Sequence, residues 1–203
     1  TLEKVDDLKL CNEEMRNFSF LLTEKIRDKT CKGLIGTVLH VDADEEYIVK
    51  CLDLYKNVGV YAYPLLTKEE DMAQKLENIA LEFVPDVIVL TGHDNFNGID
   101  KKDLIFDTLV MTVATNSKHF ADGVMVARKK YPNSIIIAGA CQSLYEVLMA
   151  RGANFASSPK RENIHVYDPA IIAINSCITS QKQIIDFYKM NKYSIGKNEK
   201  TFL

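Results

Sequence analysis

The sequence predicts an α/β fold: a three-layer sandwich whose mostly parallel sheet is flanked by helices on both faces. Short apolar runs alternate with stretches of helical periodicity from Gly33 onward, the order of strands joined by crossover helices. Val87-Ile-Val-Leu90 and Ile135-Ile-Ile-Ala138 are unbroken apolar runs, as strands covered on both faces are. Pro85 and Tyr131-Pro132-Asn133 interrupt the helical periods just before those two runs.

In chain order, residues 2–28 space Leu2, Val5, Leu8, Met15, Phe18, Leu22 and Ile26 as one or two amphipathic helices. A strand is expected over 34–41, a helix over 44–57 and a second strand over 58–63. A helix then starts at Thr67 and stops before Pro85, and the third strand covers 87–91. Residues 92–103 are rich in Asp, Asn and Gly and read as an irregular segment; Asn95, Asn97 and Gly98 are simple turn residues. Helical periodicity resumes over 117–130, followed by strand 135–138, helix 142–151, strand 153–157 and a loop over 158–162. A last helix opens near Asp168-Pro169, with Asp as N-cap and Pro in the first turn. The expected division is a helical segment over 1–30, the α/β domain over 33–190 and a polar tail over 191–203.

The 203 residues are enough for one full hydrophobic core. A net charge of −3 gives no reason to expect nucleic acid or an anionic membrane as partner, and no run of about 18 apolar residues exists to span a bilayer. The first residues lack the basic and apolar regions of a signal peptide, and a chain that starts at Thr is expected to be a fragment or a processed form. Five cysteines (11, 31, 51, 141 and 177) lie far apart with no CxxC pair, which suits reduced thiols in a cytosol-like compartment. That spacing gives no metal site, and no cofactor is expected.

The chemistry gathers at one edge. In parallel sheets ligands bind outside the carboxyl ends of the strands. The residues there are Asp42 and Asp44, then His93 and Asp94, then Cys141, then Lys160 and Arg161. Asp86-Val-Ile-Val-Leu-Thr-Gly-His93 and Ser134-Ile-Ile-Ile-Ala-Gly-Ala-Cys141 each run an apolar strand into a Gly and a reactive side chain. Two such neighbours bring a thiol and an imidazole together, as a cysteine nucleophile and its base require. A thiol at a helix start also sits in positive potential that favours the thiolate. Backbone N–H groups at Gly92, Asp94, Gly139 and Ala140 are candidates for an oxyanion hole. Taken singly, Cys141 is equally a buried small hydrophobe and His93 a loop histidine; it is their pairing that favours catalysis. His119 falls within a helix, and His165 is the competing base. Asp42 and Asp44 read either as helix-capping acids or as readers of a basic substrate group. Lys160-Arg161 is either a solvated loop or an electropositive lip.

Val38-Leu-His-Val-Asp-Ala-Asp44, Leu90-Thr-Gly-His-Asp94, Asn116-Ser-Lys-His-Phe120, Ala138-Gly-Ala-Cys-Gln-Ser143 and Gly152-Ala-Asn-Phe-Ala-Ser-Ser-Pro-Lys-Arg161 together resemble the YabG-type sporulation peptidases, over about residues 33–188. The resemblance implies a protease made during sporulation. It would work in the mother cell and later the spore coat, process coat and cortex-associated proteins, and cut after basic residues, chiefly Arg. It also implies a small β-rich domain ahead of Thr1, trimmed or removed by self-cleavage. More broadly, His after the third strand and Cys after the fourth resemble the caspase, clostripain and gingipain clan, which implies a caspase-like sandwich. Asp94 departs from the Gly that follows the histidine in that clan.

The expectation is thus an Arg-preferring cysteine endopeptidase with Cys141 as nucleophile and His93 as base. Asp42 leads as reader of the basic side chain, with Asp44, Gln142, Ser158 and Lys160 as further substrate-binding candidates. Two rivals stay open. An amidotransferase or DJ-1-like hydrolase would use the elbow Gly139-Ala-Cys-Gln-Ser143 with His165 as base. A receiver-like signalling domain would want the acids Asp42, Asp44 and Asp94 with Lys160, but leaves Cys141 and His93 unexplained.

Overall fold

The structure is a computed structural model and describes residues 35–95, 116–157, 159 and 164–179. The expected N-terminal helices over 1–30, much of the segment over 92–103, most of the loop over 158–162 and the tail over 191–203 lie outside the described residues. Five strands, β1 (Thr37–Asp42), β2 (Tyr61–Leu66), β3 (Val87–Leu90), β4 (Ile135–Ala138) and β5 (Phe155–Ala156), form one all-parallel sheet of order β2-β1-β3-β4-β5. Among the described residues five α-helices accompany them: α1 (Glu45–Val58), α2 (Met72–Asn78), α3 (Ser117–Lys130), α4 (Tyr145–Ala150) and α5 (Asp168–Ile178).

Strand side chains alternate between two cores. Val38, Val87, Val89 and Ile137 pack with α1 and α5 on one face. Leu39, Val41, Ile88, Leu90, Ile136 and Ala138 pack with α2, α3 and α4 on the other. That is the three-layer sandwich, and it explains why β3 and β4 read as unbroken apolar runs.

Several boundaries differ from the expected ones for identifiable reasons. Helix α1 runs on to Val58 and stops at Gly59, which takes the left-handed conformation (φ 75°), so β2 starts three residues later than expected. Pro64 is tolerated in β2 because this is an edge strand. The helix expected to run from Thr67 to Pro85 is a 3-10 turn over Glu69–Asp71 followed by the short α2. Its last carbonyls are closed off by the Lys130 ammonium, which donates to Leu76, Glu77 and Ile79 at 2.9, 2.9 and 2.6 Å. The helix expected over 142–151 starts only at Tyr145. At the last helix, Tyr167 occupies the cap position; Asp168 lies inside α5 and accepts from the His165 amide at 3.1 Å.

The chain direction across the sheet reverses between β1 and β3, since β2 lies on one side of β1 and β3 to β5 on the other. A crevice opens outside the carboxyl ends at such a switch point. Asp44 follows β1 there and His93 follows β3.

Candidate active site

His93 and Cys141 leave neighbouring strands at equivalent positions. Leu90 pairs with Ala138, and each reactive residue comes three positions later. The loops that carry them are tied together by Asp94. Its carboxylate is 2% exposed and accepts from four donors. Oδ1 takes the amides of Asn95 (3.0 Å) and Asn116 (2.8 Å), while Oδ2 takes the hydroxyls of Ser117 and Ser143 (2.9 Å for Ser143). Ser143 Oγ in turn accepts from the Ala140 amide at 2.9 Å, and Ser117 Oγ from the Leu144 amide at 2.9 Å. The residue after His93 thereby fixes the turn that carries Cys141 and the start of α3. The sequence offers Asp94 as an oxyanion N–H or as an acid of a receiver-like site; in the structure its side chain is the joint between the two loops.

The Cys141 turn is tight. Gly139 has φ +107° and packs so closely that a Cβ would meet Ser157 Oγ at 2.5 Å and Leu148 Cδ1 at 2.8 Å. Gln142, expected to bind substrate, takes φ +62°, a region L residues seldom occupy, and the Ser143 amide closes the turn onto the Ala140 carbonyl at 3.4 Å. Cys141 therefore sits on a turn four residues before α4, not at a helix start, and α4 has only six residues. The helix field invoked from the sequence does not act on it, because that effect fades within one turn. The half-buried thiol is bracketed by the backbone of Ile164, accepting from its N–H at 3.4 Å and donating to its C=O at 3.8 Å. Burial pushes the other two described thiols up, Cys51 far above its ordinary value and Cys177 to about 12.

Two of the four expected oxyanion donors are already engaged. The Gly139 amide donates to Leu90 O at 2.9 Å and the Ala140 amide to Ser143 Oγ.

The His93 imidazole is held on the β1 side. Its Nε2 lies 3.1 Å from Asp44 Oδ2, and its ring stands 5.8 Å from that of Tyr47. Its backbone is pinned as well: the His93 amide donates to Glu69 Oε1 at 2.8 Å, and the Asn116 side-chain amide donates to His93 O at 2.7 Å. Gly92 makes room for that arrangement, since a Cβ there would lie 2.7 Å from Glu69 Oε1. Asp44 Oδ1 also caps α1 by accepting from Glu46 N (2.9 Å) and Tyr47 N (3.1 Å). Partial burial works to raise the Asp44 pKa, but the Tyr47 amide, the His93 ring and the Glu46 amide outweigh it and hold the carboxyl below its ordinary value. The thiol and the imidazole make no hydrogen bond to each other; without substrate such contacts are often long.

Asp42, the leading candidate for reading a basic side chain, is 3% exposed, with both oxygens engaged inside the molecule. Oδ2 accepts from the Thr91 hydroxyl at 2.7 Å and lies 3.7 Å from His40 Nε2; Oδ1 accepts from the Asp44 amide at 2.9 Å. His40, itself 1% exposed and 2.9 Å from the Tyr55 hydroxyl, completes this polar cluster. Asp44, which reaches His93, also lines an open hollow with Ala43, Glu45, Glu46, Val49 and Lys50. Ser158 and Lys160, and Arg161 with them, lie outside the described residues. His165 follows the Ile164 peptide that touches the thiol, and its Nδ1 accepts from the Tyr167 amide at 3.3 Å. Among the described residues no helix is long and apolar enough to cross a membrane.

A family model described as YabG peptidase U57 matches residues 4–200. Over 167 residues, 81% of this chain, the sequence is 39% identical to the sporulation-specific protease YabG of Bacillus subtilis (strain 168). The chain spans about half the length of that relative, 56% of it. No solved structure matches. With nearly its whole length matched by the family model, the chain belongs to the YabG peptidase family.

Proposed function

We propose that this chain is the catalytic part of a cysteine endopeptidase with a caspase-like arrangement, in which Cys141 is the nucleophile and His93 the base. The observation that carries the reading is the Asp94 bridge, which couples the His93 loop to the Cys141 turn through Ser143. A buried carboxylate with four donors is a costly way to join two loops unless their relative position matters. In the proposed reaction His93 takes the thiol proton and the thiolate attacks the peptide carbonyl. The imidazolium then protonates the leaving amine, and water releases the acyl group by the reverse assistance. The developing oxyanion would be met by the backbone amides of Cys141 and of Gly92 or Asp94, those of His93, Gly139 and Ala140 being already engaged.

The preference for Arg rests on the family resemblance. Its physical support here is the hollow lined by Asp44, Glu45 and Glu46, whose three carboxylates outnumber its one cation, Lys50, which pairs with Glu46 at 2.6 Å. Proteins of the spore coat and cortex, cleaved in the mother cell, are the proposed substrates, and the chain's own peptide bonds are a further proposed target. One observation favours a second reading: the backbone of Ile164, the residue before His165, touches the thiol, which suits an amidotransferase-like hydrolase with His165 as base. Cleavage of an unbiased peptide library, read by mass spectrometry for wild type, His93→Ala and His165→Ala, separates the two. Loss of at least about 10²-fold in His93→Ala alone, with cuts after Arg, is expected; loss in His165→Ala alone overturns the assignment of the base.

A further inference from the structure

We infer that Asp44 is the positioning residue of the catalytic base, so that the site works as Cys141, His93 and Asp44 rather than as a dyad. The inference rests on the cysteine peptidase reading above. Asp44 Oδ2 stands 3.1 Å from His93 Nε2, across the switch point between β1 and β3. Its own orientation is locked, because Oδ1 is held by the amides of Glu46 and Tyr47 at the start of α1. Asp42 accepts from the Asp44 amide at 2.9 Å, which fixes the backbone from the other side. The His93 backbone is likewise held at both its N–H and its C=O, by Glu69 and Asn116.

His93 is thus anchored at three points, once through its ring and twice through its backbone, and the chemistry of the ring follows. A carboxylate accepts and never donates when ionised, so Nε2 must carry the proton in the neutral imidazole. The lone pair then sits on Nδ1, the nitrogen left to take the thiol proton. When His93 becomes an imidazolium in the course of reaction, the Asp44 charge is already beside it and needs no reorganisation. The same geometry accounts for Asp44 being both a helix cap and an acid at the cleft, two roles that the sequence presents as alternatives.

The test separates capping, positioning and substrate reading. Asp44→Ser retains a good cap but has no carboxylate to reach Nε2; Asp44→Asn retains the cap and the shape without the charge. Thermal melts confirm that both variants fold. Expected for Asp44→Ser is a fall in kcat between about tenfold and about 10⁴-fold, the upper end being the loss known when a triad carboxylate is neutralised, with KM little changed and the same loss on Arg and Ala peptides. The independent readout is the ¹⁵N spectrum of the His93 ring: protonated at Nε2 in the wild type, a tautomer mixture in Asp44→Ser. Unchanged kcat in both variants overturns the inference, whatever the spectrum does. A loss confined to Arg peptides with the tautomer unchanged also overturns it and makes Asp44 a substrate reader. If Cys141→Ala remains active, it is the cysteine reading that fails, and the ring spectrum still reports whether Asp44 sets the tautomer.

Discussion

Replacing Asp94 by alanine is expected to damage both stability and turnover, and the structure gives the size of the effect. The carboxylate is 2% exposed and serves two backbone amides, Asn95 and Asn116, and two hydroxyls, Ser117 and Ser143. The Asn95 and Asn116 amides lie nearer the surface, whereas Ser117 and Ser143 are fully buried. Their oxygens still accept from Leu144 N and Ala140 N, but each O–H loses its acceptor. A buried donor left without an acceptor costs about 1–3 kcal/mol, so the two hydroxyls set a range of about 2–6 kcal/mol. Losses above about 4–5 kcal/mol from one substitution are exceptional, which narrows the expectation to about 2–5 kcal/mol in urea unfolding. Asp94→Asn, with one acceptor kept, should lose less stability and still lose turnover. A misplacement of about 1 Å between reacting groups can cost about 10²-fold, and this residue sets the distance between the His93 and Cys141 loops. Asp94→Ala that unfolds within about 1 kcal/mol of wild type and keeps its kcat would refute the idea that this carboxylate joins the site.

The remaining predictions concern the thiols, the glycine of the turn and acid stability. Iodoacetamide near neutral pH should label Cys141 in the folded protein and spare Cys51 and Cys177, whose thiols burial pushes up; equal rates at all three would contradict the packing described. Gly139→Ala combines a positive φ (about 1–3 kcal/mol) with overpacking against Ser157 and Leu148 (about 1–3 kcal/mol), so a loss of about 2–6 kcal/mol in denaturant midpoints is expected; a wild-type midpoint would show that the turn relaxes. Asp44 has its carboxyl held below the ordinary 3.8 in the folded state, so the stability it contributes is complete above that pH and is lost as pH falls through the lower folded value. Wild type should therefore exceed Asp44→Asn in stability at pH 5, and the difference should shrink on acidification below 3.8; a difference that grows in acid would reverse the assignment.

The layers and the order of elements were legible because β1, β3 and β4 are apolar on both faces, and because Pro132 follows closely on the end of α3. Boundaries failed where a distant side chain or a single residue's conformation decides. Nothing near Asn78 announces that Lys130, more than fifty residues on, ends α2, and nothing near Gln142 announces its positive φ. The site was legible as a set of residues at one sheet edge, since topology alone gathers them. Which acid does what was not. Asp42 points into the molecule toward Thr91 and His40, while Asp44 reaches His93. Residues two apart share a face within a strand, so alternation would send both acids the same way; they part because β1 ends at Asp42 and Asp44 already caps the helix that follows. Asn116 and Ser143 were quoted within motifs, yet only the folded chain shows that they meet Asp94 and His93. His40 carried one available signal, a lone polar residue within an apolar strand, which marks a buried hydrogen-bonded group.

The central claim is that Cys141 attacks the peptide carbonyl. A peptidyl-Arg acyloxymethyl ketone alkylates only a nucleophile that is aligned beside bound substrate, so the site it modifies, mapped by tandem mass spectrometry after stoichiometric inactivation, tests that claim without presupposing the base. The account predicts one adduct per chain, on Cys141, formed in step with loss of cleavage and absent from Cys141→Ala. An adduct on another residue that abolishes cleavage, or a Cys141→Ala protein that still cuts peptides at the wild-type rate, would contradict it.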